Sequence, residues 1–288
     1  MVQTVGELHS PSGDLLLKMW KVTVAPGRRP LQRHFHSRFE ITFILSGGGT
    51  YTTDRGEYPM EPGDAFVFAG NEFHCISDVG PQGLNIVNLH FEPFFLENIC
   101  PERPNLCHAH SPTFENRIPG DRAGGLRELF FAVGRELEEQ QTEYSLMLRS
   151  LLQQMMVTLL RNHGYDEEQQ SPAQIQPLMD ALRYIDGHFA EPISLQELAE
   201  RAGMTPTYFS AAFKRAFNRS PWNYIINRRV EYAIHLLGDP DRQNMLDIAT
   251  RAGFNNTANF NKQFKRLTGM TPTAYRNAKG ADHSLNLP

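Results

Sequence analysis

Residues 194–225, SLQELAERAGMTPTYFSAAFKRAFNRSPWNYI, carry the signals that decide the fold. Ser194 and Glu197 form a capping box, in which each side chain satisfies an orphan amide at a helix start. Gly203 stands where that helix must stop, because a positive φ is easiest for glycine. Thr205-Pro206 then supplies an N-cap and a first-turn proline for a second helix. Phe209 and Phe213 are four apart, so they share one face and point inward. The pattern is helix, tight turn, helix.

The same pattern returns about fifty residues later in AGFNNTANFNKQFKRLTGMTPTAYR, residues 252–276. Leu198, Ala199 and Arg201 fall on Ile248, Ala249 and Arg251 at an offset of 50. After one added residue, Phe209, Phe213, Lys214, Arg215, Pro221 and Tyr224 fall on Phe260, Phe264, Lys265, Arg266, Pro272 and Tyr275. Asn244 with Asp247 replaces the capping box, and Asn255-Asn256 can cap the second helix of this copy. Two copies are too few for a solenoid, so the unit is a duplicated supersecondary motif. The outward faces are then Thr207, Ser210, Ala211 and Lys214 in the first copy. In the second they are Thr257, Ala258, Asn261, Lys262 and Lys265. Hydroxyls and amides pair with base edges and lysines neutralise phosphates, so these faces suit a major groove, although a solvated face is also polar. Ser210 and Ala211 are small, which leaves Asn261 and Lys262 as the sharper base readers.

The overall charge of −4 hides a division: residues 172–288 carry 14 Lys+Arg against 10 Asp+Glu, while residues 1–171 carry 14 against 22. A polyanion meets the second half. Residues 175–276 resemble the DNA-binding region of the AraC/XylS family, including the terminal Gly269-x-Thr-Pro-x-x-Tyr-Arg276. The resemblance implies two helix-turn-helix subdomains joined by a helix over about Pro221 to Leu237, with recognition helices in successive major grooves spaced about 34 Å apart. It also implies a regulator rather than an enzyme, with double-stranded DNA as partner and RNA polymerase as a second partner if the outcome is activation.

Upstream, residues 15–90 read as short apolar or alternating segments separated by turns, a sandwich or barrel signature. Two helices follow over about 125–162. The second pairs apolar residues every four positions, from Met147-Leu148 to Leu159-Leu160, and this stripe packs on its own domain or on a second subunit. The fold class is α+β with two domains. The divisions are a cupin-like effector and dimerisation domain over 1–163, a polar linker over 164–174, the double helix-turn-helix over 175–280, and a tail over 281–288. Nothing resembles a signal peptide or membrane span, so a cytoplasmic homodimer is expected. Cys75, Cys100 and Cys107 have no framework spacing, and Cys107 with His108 and His110 reads as a surface loop.

His34-x-His36-x3-Glu40, then Pro62-Gly63-Asp64 and His74, resembles the two motifs of cupin barrels. Strand alternation puts His34, His36 and Glu40 on one face, where they can converge with His74. Three imidazoles and a carboxylate suit Mn, Fe, Ni or Zn, which makes a metal-dependent cupin enzyme one alternative. The second motif departs from the cupin pattern, since Ala69 to Phe73 replace its proline and glycine before His74. Sensor domains of the resembled family mostly bind an organic effector without metal. No cofactor is therefore expected, and His34, His36, Glu40 and His74 are the candidate contacts to a small effector such as a sugar. Control by a protein partner without any small ligand is a further alternative.

Overall fold

The structure, a computed structural model, describes residues 1–26, 34–95, 105–108, 113–165, 172–238 and 244–281. Most of the expected linker at 164–174, the tail beyond 281, Cys100 and His110 lie outside the described residues. Contacts divide the chain into two units: Met1–Gln32 with Ser37–Gln169, and Arg33–His36 with Gln170–Pro288.

In the first unit, strands β1 (Val2–His9), β2 (Leu15–Val24), β3 (Phe39–Thr53), β4 (Gly56–Met60), β5 (Ala65–Phe68), β6 (His74–Phe91) and β7 (Arg117–Ile118) pair antiparallel. Their order is β1-β2-β6-β3-β5-β7, with β4 on β3. Helices α1 (Gly124–Glu139) and α2 (Tyr144–Asn162) cover one face of the sheet. Alternation decides which side chains meet them: Leu17 and Met19, Phe39, Ile41 and Phe43, Val67, and Val87, Leu89 and Phe91 join Leu126, Phe130, Leu148, Leu152 and Met155 in one core. Each fully buried side chain of this kind contributes about 1.5–3 kcal/mol.

The intervening residues point to the other face, and the sheet folds over to bury them. β3 and β6 are 15 and 18 residues long, and their pairing shifts register near Ser46, Gly49 and Tyr51. Gly47 has φ 81° and sits against the Gly83 carbonyl, and Gly49 has φ 155° and sits against the Asp78 carbonyl; neither place admits a Cβ. Beyond this bend the Tyr51 ring returns to pack on Phe66 at 4.7 Å and Phe68 at 5.2 Å. Asp64, buried in the turn before β5, accepts from Arg117 at 2.7 Å and from the Gly120 amide at 3.0 Å, so this part of the cupin-like pattern holds a turn together. Two local expectations need correction. Cys107 and His108 are buried rather than part of a surface loop. β3 starts at Phe39, after bends at Ser37 and Arg38, so strand alternation does not run from His34 through Glu40.

The second unit is helical: α3 (Pro172–His188), α4 (Leu195–Arg201), α5 (Pro206–Phe217), α6 (Pro221–Leu237), α7 (Met245–Arg251), α8 (Thr257–Thr268) and α9 (Pro272–Ala281). The duplication is visible in three dimensions, with α4 on α7 at an offset of 50 and α5 on α8 at 51. The extra residue falls in the turn, which runs Ala202 to Thr205 in the first copy and Ala252 to Asn256 in the second. Ser194, Thr205, Asn244 and Asn256 each accept from the amide three residues on, at 2.7–3.4 Å. Such a cap contributes about 1 kcal/mol. Phe209, Phe213 and Phe217 pack inside the first copy, and Phe254, Phe260 and Phe264 inside the second.

Candidate functional site

The second unit presents α5 and α8 to solvent along one side each. Thr207, Ala211 and Lys214 are exposed and Ser210 half-buried on α5. On α8, Ala258, Asn261, Lys262 and Lys265 are exposed and Thr257 is half-buried. The opposite sides are pinned, since Phe209, Phe213, Phe260 and Phe264 are fully buried. Proline at the first position of α5 and Asn256 capping α8 orient both helix starts outward. Tyr208, 53% exposed beside Thr207, belongs to the same surface and was not among the outward residues named from the sequence.

The first unit holds a polar cluster on the face turned away from the helices. Glu40 Oε2 lies 3.1 Å from His74 Nε2 and 2.7 Å from His90 Nε2, and all three side chains are buried. The Thr42 hydroxyl donates to Glu40 Oε1 at 2.6 Å and lies 2.7 Å from the Asn88 amide oxygen. On a flat sheet His74, whose register partner is Thr53, would be about 40 Å from Glu40, so the fold-over creates this pairing.

The protonation of His74 follows from its neighbours. Nε2 faces the Glu40 carboxylate, and Nδ1 faces the Glu72 carbonyl at 3.0 Å. Both neighbours are acceptors in this arrangement and so favour the doubly protonated ring. Burial, the largest single influence, opposes that charge; the Glu40 charge and hydrogen bond and the Glu72 carbonyl together outweigh it and raise the pKa above the ordinary 6.5. Burial also pushes the Tyr51 hydroxyl well above its usual range, with Glu40 adding to the effect. The Trp20 ring stands edge-on to His90 at 4.5 Å, and its buried indole N–H has no hydrogen-bond acceptor among the described residues.

The four residues predicted to contact an effector come together here: one ligand atom from each of His34, His36, Glu40 and His74 lies within 4.8 Å of the others, and the His34 and His36 rings are 6.0 Å apart. His90, Thr42, Asn88 and Trp20 were missed. The available signal was LNIVNLHF, where Asn88 and His90 interrupt an apolar strand at alternate positions. Arg38, half-buried, pairs with Glu92 at 3.0 Å.

Comparison with known proteins follows the same division. An AraC-like ligand binding domain matches residues 25–156, and a helix-turn-helix domain matches residues 198–278. The uncharacterized HTH-type transcriptional regulator YdeC of Bacillus subtilis is 20% identical over 252 residues, covering 84% of this chain and 85% of its own. The HTH-type transcriptional activator RhaR of Escherichia coli K12 is 24% identical over 259 residues, covering 84% and 86%. Among solved structures, ToxT from Vibrio cholerae superposes with a TM-score of 0.60 at 10% identity, covering 91% of this chain and 98% of that one, which is a likeness of fold.

Proposed function

The chain belongs to the AraC family of DNA-binding transcription regulators, with a ligand-binding domain and a helix-turn-helix domain, and from that premise we propose that it couples one small polar effector to the reading of a specific DNA sequence. The relatives it matches are regulators, not enzymes. The observation that carries the reading is the duplicated helix-turn-helix, whose buried phenylalanines leave hydroxyl, amide and lysine side chains outward on α5 and α8.

The effector is a sugar or a related hydroxyl-rich metabolite. Supporting this are the buried donors and acceptors around Glu40, and a Trp20 N–H that an acceptor on a ligand would satisfy. Glu40, His74 and, from the adjoining segment, His34 and His36 are its proposed contacts. The effector in this reading is organic; were a metal bound instead, His34, His36, Glu40 and His74 would hold it, since one ligand atom from each lies within 4.8 Å of the others. Effector binding shifts the balance between two arrangements of the DNA-reading helices through its differential affinity for them.

A second copy of the chain is the proposed partner along the outer side of α2. Leu146, Met147 and Val157 are exposed there, while the inner half of the stripe, Leu148 to Leu159, is buried in its own domain. RhaR is named an activator; the same outcome here would add RNA polymerase as a partner, and with DNA as partner the proposed compartment is the cytoplasm. Among the described residues no helix is long and apolar enough to cross a membrane.

Fluorescence anisotropy on the DNA upstream of its own gene tests the core of the proposal. Tight binding that weakens steeply with salt is expected, and absence of binding at low salt refutes it. A thermal-shift panel of sugars tests the effector: a ligand at a hundred times its Kd raises stability by about 2.7 kcal/mol. Stoichiometric metal in the purified protein would refute the metal-free site.

A further inference from the structure

Arg229 lies in the middle of α6, the helix that joins the two helix-turn-helix copies, and is only 6% exposed. Its Nε donates to the Phe189 carbonyl at 2.6 Å and an Nη to the Glu191 carbonyl at 2.8 Å. Both carbonyls belong to the short turn that leaves α3 and leads into α4. The C-terminal end of α3 is the negative end of its dipole, which suits a cation there. The guanidinium also lies 5.9 Å from the Trp222 ring on α6 and 6.0 Å from the Phe254 ring in the second copy's turn.

The same α3–α4 turn touches the second copy directly. A Cβ on Gly253 would stand 2.6 Å from the Ala190 carbonyl oxygen and 2.8 Å from the Ala190 Cα. Gly203 occupies the equivalent place in the first copy, and a Cβ there would meet nothing within 4 Å. The two glycines share a positive φ, 65° at Gly203 and 82° at Gly253, so both serve a bend. Only Gly253 also serves a close approach of two segments of backbone.

We infer that Arg229 is a positioning residue: by tying the Phe189–Glu191 turn to α6 it seats that turn against Gly253, and so fixes the separation and angle between α5 and α8. Two helices held by one chain enter neighbouring major grooves together only if that separation matches the duplex. The inference rests on the DNA reading above and adds to it the part that sets its ruler.

The experiment uses the full chain and a duplex that the wild-type protein selects from a random-sequence pool. Affinity is measured for this duplex and for versions with one or two base pairs inserted between the two contacted segments. Wild type should reject the insertions. Arg229→Met and Gly253→Ala should each lose about tenfold on the selected duplex, the cost of a typical base-pair mismatch, and should discriminate less against the insertions. Arg229→Lys keeps the charge but not the two-pronged donor, and should fall between. Gly203→Ala bears similar backbone strain and should keep the wild-type preference for spacing. Should Arg229→Met fail to fold, Arg229→Lys and Gly253→Ala carry the same comparison. Folded variants that retain the wild-type spacing preference, or a Gly203→Ala that relaxes it equally, would overturn the inference. If wild type selects no duplex, the DNA reading falls first and this inference falls with it.

Discussion

Glu40 and His90 are register partners across β3 and β6, and their side chains meet on the inner face of the sheet with Nε2 2.7 Å from Oε2. Thr42 and Asn88 are the next such pair on that face, so a polar ladder two rungs long runs up an otherwise apolar interior. His74 reaches the same carboxylate from the far leg of the folded sheet. One carboxylate therefore ties three strand segments together.

Replacing that carboxylate removes the charge that raises the His74 pKa. Glu40→Gln should destabilise the first unit by about 3–5 kcal/mol, the usual cost of removing one partner of a buried pair. Thermal denaturation of the full chain reads the loss, and NMR titration should show the His74 pKa falling. An unchanged melt with an unchanged titration would contradict the ion pair.

The pH dependence has a definite sign. The folded-state pKa of His74 is raised above 6.5, so its contribution is complete below pH 6.5 and is lost as pH rises through the raised value. Denaturation midpoints taken stepwise upward from below that pH should therefore decline across the window. His74→Gln should flatten this decline; an equal slope in the variant would assign it to another group.

The two kinds of residue on α8 should fail differently. Asn261→Ala should cost about 1–3 kcal/mol on the preferred sequence and relax preference at one base pair. Lys265→Ala should weaken binding to all sequences and lower the salt slope by about 1. Both are exposed, so melts should stay within about 0.5 kcal/mol of wild type. Identical specificity profiles for the two variants would remove the distinction between reader and phosphate contact.

The outer side of α2 offers a test of subunit number. Met147→Glu with Val157→Glu should shift sedimentation to a smaller species without loss of helix, because both side chains are exposed in the single chain. A wild-type chain that already sediments as a monomer would refute the proposed pairing.

The helical half is legible in the sequence because its signals are short-range. Caps sit three residues from the amides they satisfy, and paired phenylalanines sit four apart, so the duplicated register can be read without knowing the fold. The inner cluster is not legible in that way. Glu40 and His74 come together through a bend at Gly47–Gly49 that no local pattern announces, and His90 joins them through strand register. β1 was overlooked because VQTVGELH alternates weakly, and most of its residues remain partly or fully exposed. His34 and His36 do reach Glu40 and His74, but through the bends at Ser37 and Arg38 rather than by the strand alternation from which their convergence was argued.

The turn of the second copy is one residue longer than that of the first, and its glycine abuts Ala190 where the first has open space. The two halves of the reading head are therefore not interchangeable, and a single polypeptide lies on its operator with a leading and a trailing end. Such a protein needs no palindrome beneath it: one bound chain already has polarity, and reversing its site relative to a promoter reverses the order in which the two reading helices follow that promoter.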